Sequence, residues 1–450
     1  MNIEYSPQHR PYALLALLSL ALLCGSAAAQ IERVSLTDAG LEADLDSYQA
    51  ALSDDGSVVA FRSGATNLVA DDTNGWSDIF VRDLAAGTTE RVSFDADGDE
   101  LLSGLSHQPS LSDDGLKVVF TARYQPGREI SVTGLYERDT ASSQLLLPDR
   151  ACASCGPAYP RSGRLNARIS GNGQFVVFDT VSTLQSLFEF EIAPPNPFNT
   201  TIFDVFIHDV VTDPTPQIER LSLDSAGDEG RGDSIEASVS DAGRWVAFHS
   251  YADDLVADDL NKHEDVFVRD RDLNTTELIS ANPAGDPGDD DSIQAVISGD
   301  GQFVAFRSRA TDLVAGDTNQ RWDIFVRDRA AGSTERVSVS STGVEANHHS
   351  TDPDISDNGR YVVFRSLAAN LVASDSNNRA DVFVHDRTTG QTAIVSRPAV
   401  GESNGMSHEP AISGDGQWIA FESDATNLIT GDANRARDIF RAANPLWSAP

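Results

Sequence analysis

Ser298-Gly-Asp-Gly301-Gln-Phe-Val-Ala-Phe306, continued by Asp323-Ile-Phe-Val-Arg-Asp328 and Thr334-Glu-Arg-Val-Ser338, is the stretch that decides the fold. Its apolar runs are short, rich in Val, Ile and Phe, and separated by Gly- and Asp-bearing turns. That pattern describes an antiparallel meander rather than a βαβ unit. The Ser-x-x-Gly turn recurs at Ser53 to Gly56, Ser112 to Gly115, Ser170 to Gly173, Ser240 to Gly243, Ser356 to Gly359 and Ser413 to Gly416, most often about 58 residues apart. The strand after each turn ends in a phenylalanine: Phe61, Phe120, Phe178, Phe248, Phe306, Phe364 and Phe421.

Seven such units imply seven sheets, each able to bury its faces only against its neighbours around a ring. The expected fold is therefore all-β: a seven-bladed β-propeller of four-stranded antiparallel blades. The blades fall at about 48–93, 107–147, 165–222, 235–280, 293–338, 351–396 and 408–441. The last unit runs out after its third strand, Asp438-Ile-Phe440, while an orphan fourth strand, Ile31-Glu-Arg-Val-Ser35, stands at the other end of the chain. Pairing the two would close the ring and remove exposed sheet edges. Units two and three are irregular, with Gln125 to Thr133 in place of the usual connection and a Pro-rich insertion at Leu184 to Thr201.

Residues 1–29 read as a secretory signal: Arg10, an apolar run from Ala13 to Leu23 too short to span a bilayer, and Ala27-x-Ala29 before Gln30. The remaining chain, 30–450, is expected to be one propeller domain, periplasmic or secreted, monomeric and without membrane insertion. Its formal charge of −36 argues against nucleic acid and anionic lipid as partners. Cys152 and Cys155 suit a local disulfide or free thiols in an oxidising exterior.

The Ser-x-x-Gly turn and Phe-ended strand resemble the WD40-like repeat of TolB-type propellers, over nearly all of residues 31–441. The turn lacks that family's proline, the blades are longer, and no accessory N-terminal domain is evident. The resemblance implies a protein-interaction role in the cell envelope or extracellular space, without naming the partner.

Four residues before each turn serine stands a polar side chain: Gln49, Gln108, Asn166, Glu236, Gln294, Asp352 and Glu409. If first strands line the channel, these seven form a ring at its mouth, near His107 and His408. Such a ring either caps loop amides or holds a cation or small polar ligand. Two residues earlier, Ser47, Ser106, Ser234, Ser292, Ser350 and Ser407 are expected to form a second ring stacked on it. A further pattern, Asp-x-Asn-x-x-x-Asp, repeats at Asp72/Asn74/Asp78, Asp259/Asn261/Asp265, Asp317/Asn319/Asp323, Asp375/Asn377/Asp381 and Asp432/Asn434/Asp438. Alternating oxygen ligands suit Ca²⁺, and Asx turns explain the same letters.

No catalytic residue is assigned. A hydrolase of the kind that carries a propeller needs an α/β domain to present its nucleophile elbow, and the meander repeats leave no such domain in this reading. The enzyme alternative is a metal-dependent polysaccharide lyase of the oligogalacturonate type, with His107, Gln108, His408, His348 and His349 as candidate residues at the channel mouth.

Overall fold

The computed structural model describes residues 31–448, except 95–97, 99, 102–105, 125–129, 139–140, 149–165, 182–201, 212–217 and 258. The signal segment, the Cys152–Cys155 pair and the Pro-rich insertion lie outside the described residues.

Seven four-stranded antiparallel sheets form the blades of a propeller, and the described residues contain no helix. Blades 1 to 6 span Ser47–Arg91, Ser106–Pro148, Arg168–Arg220, Ser234–Leu278, Ser292–Arg336 and Ser350–Ile394. Blade 7 takes three strands from Ser407–Ala443 and its fourth from Ile31–Arg33, which pairs in the register Ile31↔Ala442, Glu32↔Arg441 and Arg33↔Phe440. Ser35 Oγ extends the closure by donating to Asp438 Oδ1 at 2.7 Å, as Ser280 does to Asp265 within blade 4 at 2.6 Å.

Alternation within each second and third strand sends apolar side chains to both neighbours, so the core lies between blades. The second strands run on beyond the phenylalanine expected to end them, and in six blades that phenylalanine stacks on one from the third strand, as Phe306 does on Phe325 with centroids 5.9 Å apart. Blade 2 breaks the pattern, with Gly134 beneath Phe120 where a Cβ would strike the ring.

The Ser-x-x-Gly turn joins the first and second strands at one end of the channel. In blade 1 the Ser53 hydroxyl accepts the Val58 N–H at 3.1 Å, and the Gly56 N–H donates to the Ser53 carbonyl at 2.9 Å. Gly56 is required twice over: its φ is +66°, and a Cβ would stand 2.6 Å from the Trp418 ring of blade 7. Gly243 and Gly301 meet Phe175 and Trp245 of the preceding blade in the same way.

Backbone bonds run from turn to turn around this end. Asp54 donates to Asp113, Asp113 to Gly171, Asn172 to Asp241, Asp241 to Gly299, Asp300 to Asp357, Asp357 to Gly414, and Asp415 back to Asp54, at 2.9–3.3 Å. Inside this circle the carboxylates of Asp54, Asp113, Asp241 and Asp357 share space left by Gly171, Gly299 and Gly414. A Cβ on Gly414 would strike both Asp54 and Asp357. Burial first, then mutual repulsion, pushes Asp113 up to about 7 and Asp357 up to about 8.

Candidate functional site at the channel mouth

The opposite end of the channel is where each first strand begins. A cavity of about 360 Å³ lies on the axis, walled by first strands from all seven blades. Gln49, Gln108, Asn166, Glu236, Gln294, Asp352 and Glu409 all line it, so the ring expected from the sequence is present.

Its backbone is unusual. Gln49, Gln108, Glu236, Gln294, Asp352 and Glu409 hold φ between 41° and 55°. Each sits where its strand slips register, between Tyr48 and Ala51 in blade 1 and between Ile293 and Val296 in blade 5. Left-handed φ at a residue other than glycine costs on the order of 1 kcal/mol, and such strain gathers at functional sites.

This slip also corrects one expectation. Two residues apart on a regular strand means the same face, so Ser47 and its equivalents should have stacked on the ring. The left-handed residue breaks that alternation and turns the serines inward. Ser47, Ser234, Ser292, Ser350 and Ser407 are buried and hydrogen-bond to Ser63, Ser250, Ser308, Ser366 and Ser423 at 2.8–3.0 Å.

Freed from the ladder, several ring N–H groups find side-chain acceptors. Gln49 Oε1 accepts from the Gln108 N–H at 2.9 Å, Gln294 Oε1 from the Asp352 N–H at 3.3 Å, and Asp179 Oδ1 from the Asn166 N–H at 3.2 Å. The Gln49 N–H donates to Glu422 Oε2 at 3.1 Å. Part of the ring therefore caps amides, while no such bond uses the carboxylates of Glu236 and Glu409.

Behind the ring stands a layer that the sequence reading missed. It is the residue after the repeated phenylalanine of each second strand: Arg62, Thr121, Asp179, His249, Arg307, Arg365 and Glu422. Seven polar letters in the most apolar strand of every repeat are the signal that would have found it. The Nε atoms of Arg62, Arg307 and Arg365 are buried without a hydrogen-bond partner, as are Nδ1 of His249 and Oδ2 of Asp179. Arg307 lies 4.7 Å over the Trp322 ring, and Arg62 and Arg437 lie 5.3 and 5.1 Å from the Tyr48 ring. Arg365 reaches Asp352 at 3.9 Å.

Electrostatics follow from burial. His249 is lowered to about 4, first by desolvation and then by Arg307, so it is neutral at physiological pH. Glu409 touches the water of the channel yet lies deep in the molecule; desolvation, then Glu422 and Asp352, push it up to about 7. Asp179 is raised to about 8, mainly by burial. The mouth thus offers carboxyl groups, amides, guanidinium groups and an imidazole within one polar cavity.

The histidines named from the sequence do not gather. Among the described residues, no group of three His, Cys, Asp or Glu ligands within 4.8 Å of one another includes His107, His348, His349 or His408. His349 Nδ1 accepts the Trp322 N–H at 3.0 Å, and His348 Nδ1 the His349 N–H at 2.8 Å. His408 Nε2 stands 3.8 Å from Asp424.

The Asp-x-Asn-x-x-x-Asp segments lie at the periphery of this same end. Their asparagines form Asx turns: Asn74 Oδ1 accepts the Trp76 N–H at 2.6 Å, and Asn261, Asn319, Asn377 and Asn434 do the same two residues on. Each Asn Nδ2 also donates to the last aspartate, Asp78, Asp265, Asp323, Asp381 or Asp438, at 2.6–3.2 Å. Among the described residues, two triads have ligand atoms close enough for a metal, Asp72/Asp78/Glu100 and His263/Asp290/Asp291. Both are already occupied by a guanidinium, Arg91 at 2.7 Å from Glu100 and Arg309 at 2.8 Å from Asp290.

No protein-family model and no curated protein sequence matches the chain. Solved structures do. The β-propeller domain of the Trilobed protease from Pyrococcus furiosus aligns at TM-score 0.53 and 11% identity over 89% of this chain and 94% of that one. An oligogalacturonate lyase in complex with manganese aligns at TM-score 0.51 and 13% identity over 93% and 97%. TolB from Acinetobacter baumannii aligns at TM-score 0.42 and 14% identity, covering 76% of this chain and 63% of that one. The chain spans about half, 51%, of an acylaminoacyl peptidase that it also matches. At these identities the likenesses at TM-score 0.51 and 0.53 show a β-propeller fold. The Pyrococcus domain is described as having an open velcro topology, whereas here Ile31–Arg33 closes the last blade.

Proposed function

We propose that this protein is an exported, non-catalytic binding platform, TolB-like in using one end of its propeller to engage a partner. The partner is a protein outside the cytoplasm that places a polar segment in the channel mouth. One observation carries the reading: six ring residues held in left-handed conformation around a polar cavity of about 360 Å³. Left-handed backbone at a residue other than glycine costs free energy, and such strain concentrates at functional sites. Guanidinium and imidazole nitrogens that are buried without partners behind the ring add polar capacity a bound segment can use. The loops before each first strand, including 286–291, open on the same end and supply the rim.

The test is photocrosslinking with p-benzoylphenylalanine placed either at Tyr251, exposed on the mouth side, or at Leu116, exposed beside the Ser112–Gly115 turn at the other end. A discrete adduct from position 251 and none from 116 supports the reading. Adducts from both positions alike, or from neither, would sink it.

A further inference from the structure

Two residues further along each first strand than the mouth ring, and so deeper in the channel, stand Ala51, Ser110, Arg168, Ser238, Val296, Asp354 and Ala411. Three of these carry no polar side-chain atom. Three more are spent on the first strand of the next blade: Ser110 Oγ accepts the Ile169 N–H at 3.1 Å, Ser238 Oγ the Ile297 N–H at 3.2 Å, and Asp354 Oδ2 the Ile412 N–H at 2.9 Å. Asp354 Oδ1 also accepts the Ile355 N–H at 3.0 Å, so both its oxygens are engaged.

Arg168 is the exception at this depth. It is exposed between Ala167 and Ile169, which are 2% and 6% exposed, and it lines the cavity on the axis. Alternation on this innermost strand turns its side chain into the channel. Among the described residues its guanidinium has no hydrogen-bond or ion-pair partner. Acids are not scarce, since 69 Asp and Glu stand against 33 Lys and Arg. Burial raises the Asp354 carboxyl and Arg168 acts to lower it, yet the two do not meet as an ion pair. Other arginines of this end are engaged: Arg309 pairs with Asp290, Arg365 with Asp352, and Arg437 with Glu422 and Asp424. Gln108, on the adjoining first strand of blade 2, lines the same cavity, and its side-chain amide has no hydrogen-bond partner among the described residues.

We propose that the channel takes a single carboxylate group, held by the Arg168 guanidinium with the Gln108 amide as a second donor, and that the partner's segment supplies it. A guanidinium fork matches both oxygens of a carboxylate. One unpaired cation balances one negative charge, which favours a carboxylate over a phosphate, and the formal charge of −36 opposes any more heavily charged ligand. A cavity of about 360 Å³ is at the small end for ligand pockets and suits the end or a side chain of an extended segment. The attribution to a partner rests on the reading of the mouth given above.

The experiment is calorimetric titration of the full chain with three blocked peptides: N-acetyl-triglycine, with a terminal carboxylate; a peptide amide of the same length with one central aspartate; and N-acetyl-triglycine amide, with no charge. At least one acid should bind about tenfold or more tighter than the uncharged amide, and which one does so tells a chain end from an acidic side chain. Arg168→Gln should bring that acid to the level of the amide, and Arg168→Lys should restore part of the difference. Neither should shift the melting temperature, because the side chain holds nothing else in the protein. Equal binding of acids and amide, no binding of either acid at about 10 mM, tighter binding of inorganic sulfate, or affinity unchanged in Arg168→Gln overturns the proposal. An adduct from position 251 without a carboxylate preference strikes this inference alone. Carboxylate binding without that adduct strikes the protein partner and leaves the carboxylate site, with a free small acid as its ligand.

Discussion

The two ends of the channel are built from the same seven repeats and solve opposite problems. At the turn end, small residues and main chain do the joining: glycines pack on aromatic rings of the preceding blade, and seven backbone hydrogen bonds run in a circle. At the mouth, large polar side chains are forced into left-handed backbone and arginine nitrogens are left without partners. One end is knit by main-chain bonds around crowded carboxylates, and the other by side chains of which several buried nitrogens lack a partner. The difference teaches where a rigid ring stores stability and where, if the proposed function holds, it stores the capacity to bind.

The harshest challenge to that contrast removes the strand both ends depend on. Deleting residues 31–35 strips Arg33 from Glu42, Asp432 and Asp438 and leaves buried acids unpaired. Breaking one such buried network costs about 4 kcal/mol. The truncated chain should therefore melt far below the parent, and equal melting temperatures would refute closure.

Next comes the turn end alone. Gly414→Ala places a Cβ against the carboxylates of Asp54 and Asp357 and should destabilise by about 2 kcal/mol in denaturant titration, while leaving partner capture at the mouth intact.

Acidity probes the same carboxylates. Asp113 and Asp357 have folded values of about 7 and about 8, above the ordinary value of 3.8. The folded state therefore holds more protons than the unfolded one between about pH 4 and pH 8, and its stability falls as pH rises through that window. Melting temperature should be higher at pH 5 than at pH 8, and Asp357→Asn should flatten the slope. A protein more stable at pH 8 would contradict the packing of this ring.

The smallest effect has the opposite sign. Glu236 has φ of +54°, and glycine adopts that conformation without strain. Glu236→Gly should stabilise by about 0.5–1 kcal/mol and weaken binding at the mouth. A gain in stability with no loss of binding would show the strain to be incidental.

The architecture was legible because the repeat carries it. Ile31 to Ser35 matches the fourth strand of other blades closely, and Ser-x-x-Gly states its own turn chemistry through the serine hydroxyl and the glycine φ. The ring at the mouth was legible as seven polar letters at one offset. Its conformation was not, because a left-handed glutamine or glutamate leaves no mark in the letters, and period-two reasoning placed Ser47 on the wrong face. The buried Arg62, Arg307 and Arg365 were missed because attention fell on the phenylalanine before each. The Asp-x-Asn loops were read apart from the fourth strand, so the fourth-strand arginines that pair with their acids, Arg91 in blade 1 and Arg336 in blade 5, went unseen.

Closure by Ile31–Arg33 has a temporal consequence. Ser35 and Asp438 are separated by 403 positions along the chain, so the closing strand leaves the ribosome long before the strand it pairs with. Loop-closure entropy grows slowly with length, so this distance is a modest thermodynamic burden, but it is a strict order of events. The ring cannot lock until blade 7 has arrived, and any chain that stops short of it keeps an open sheet edge.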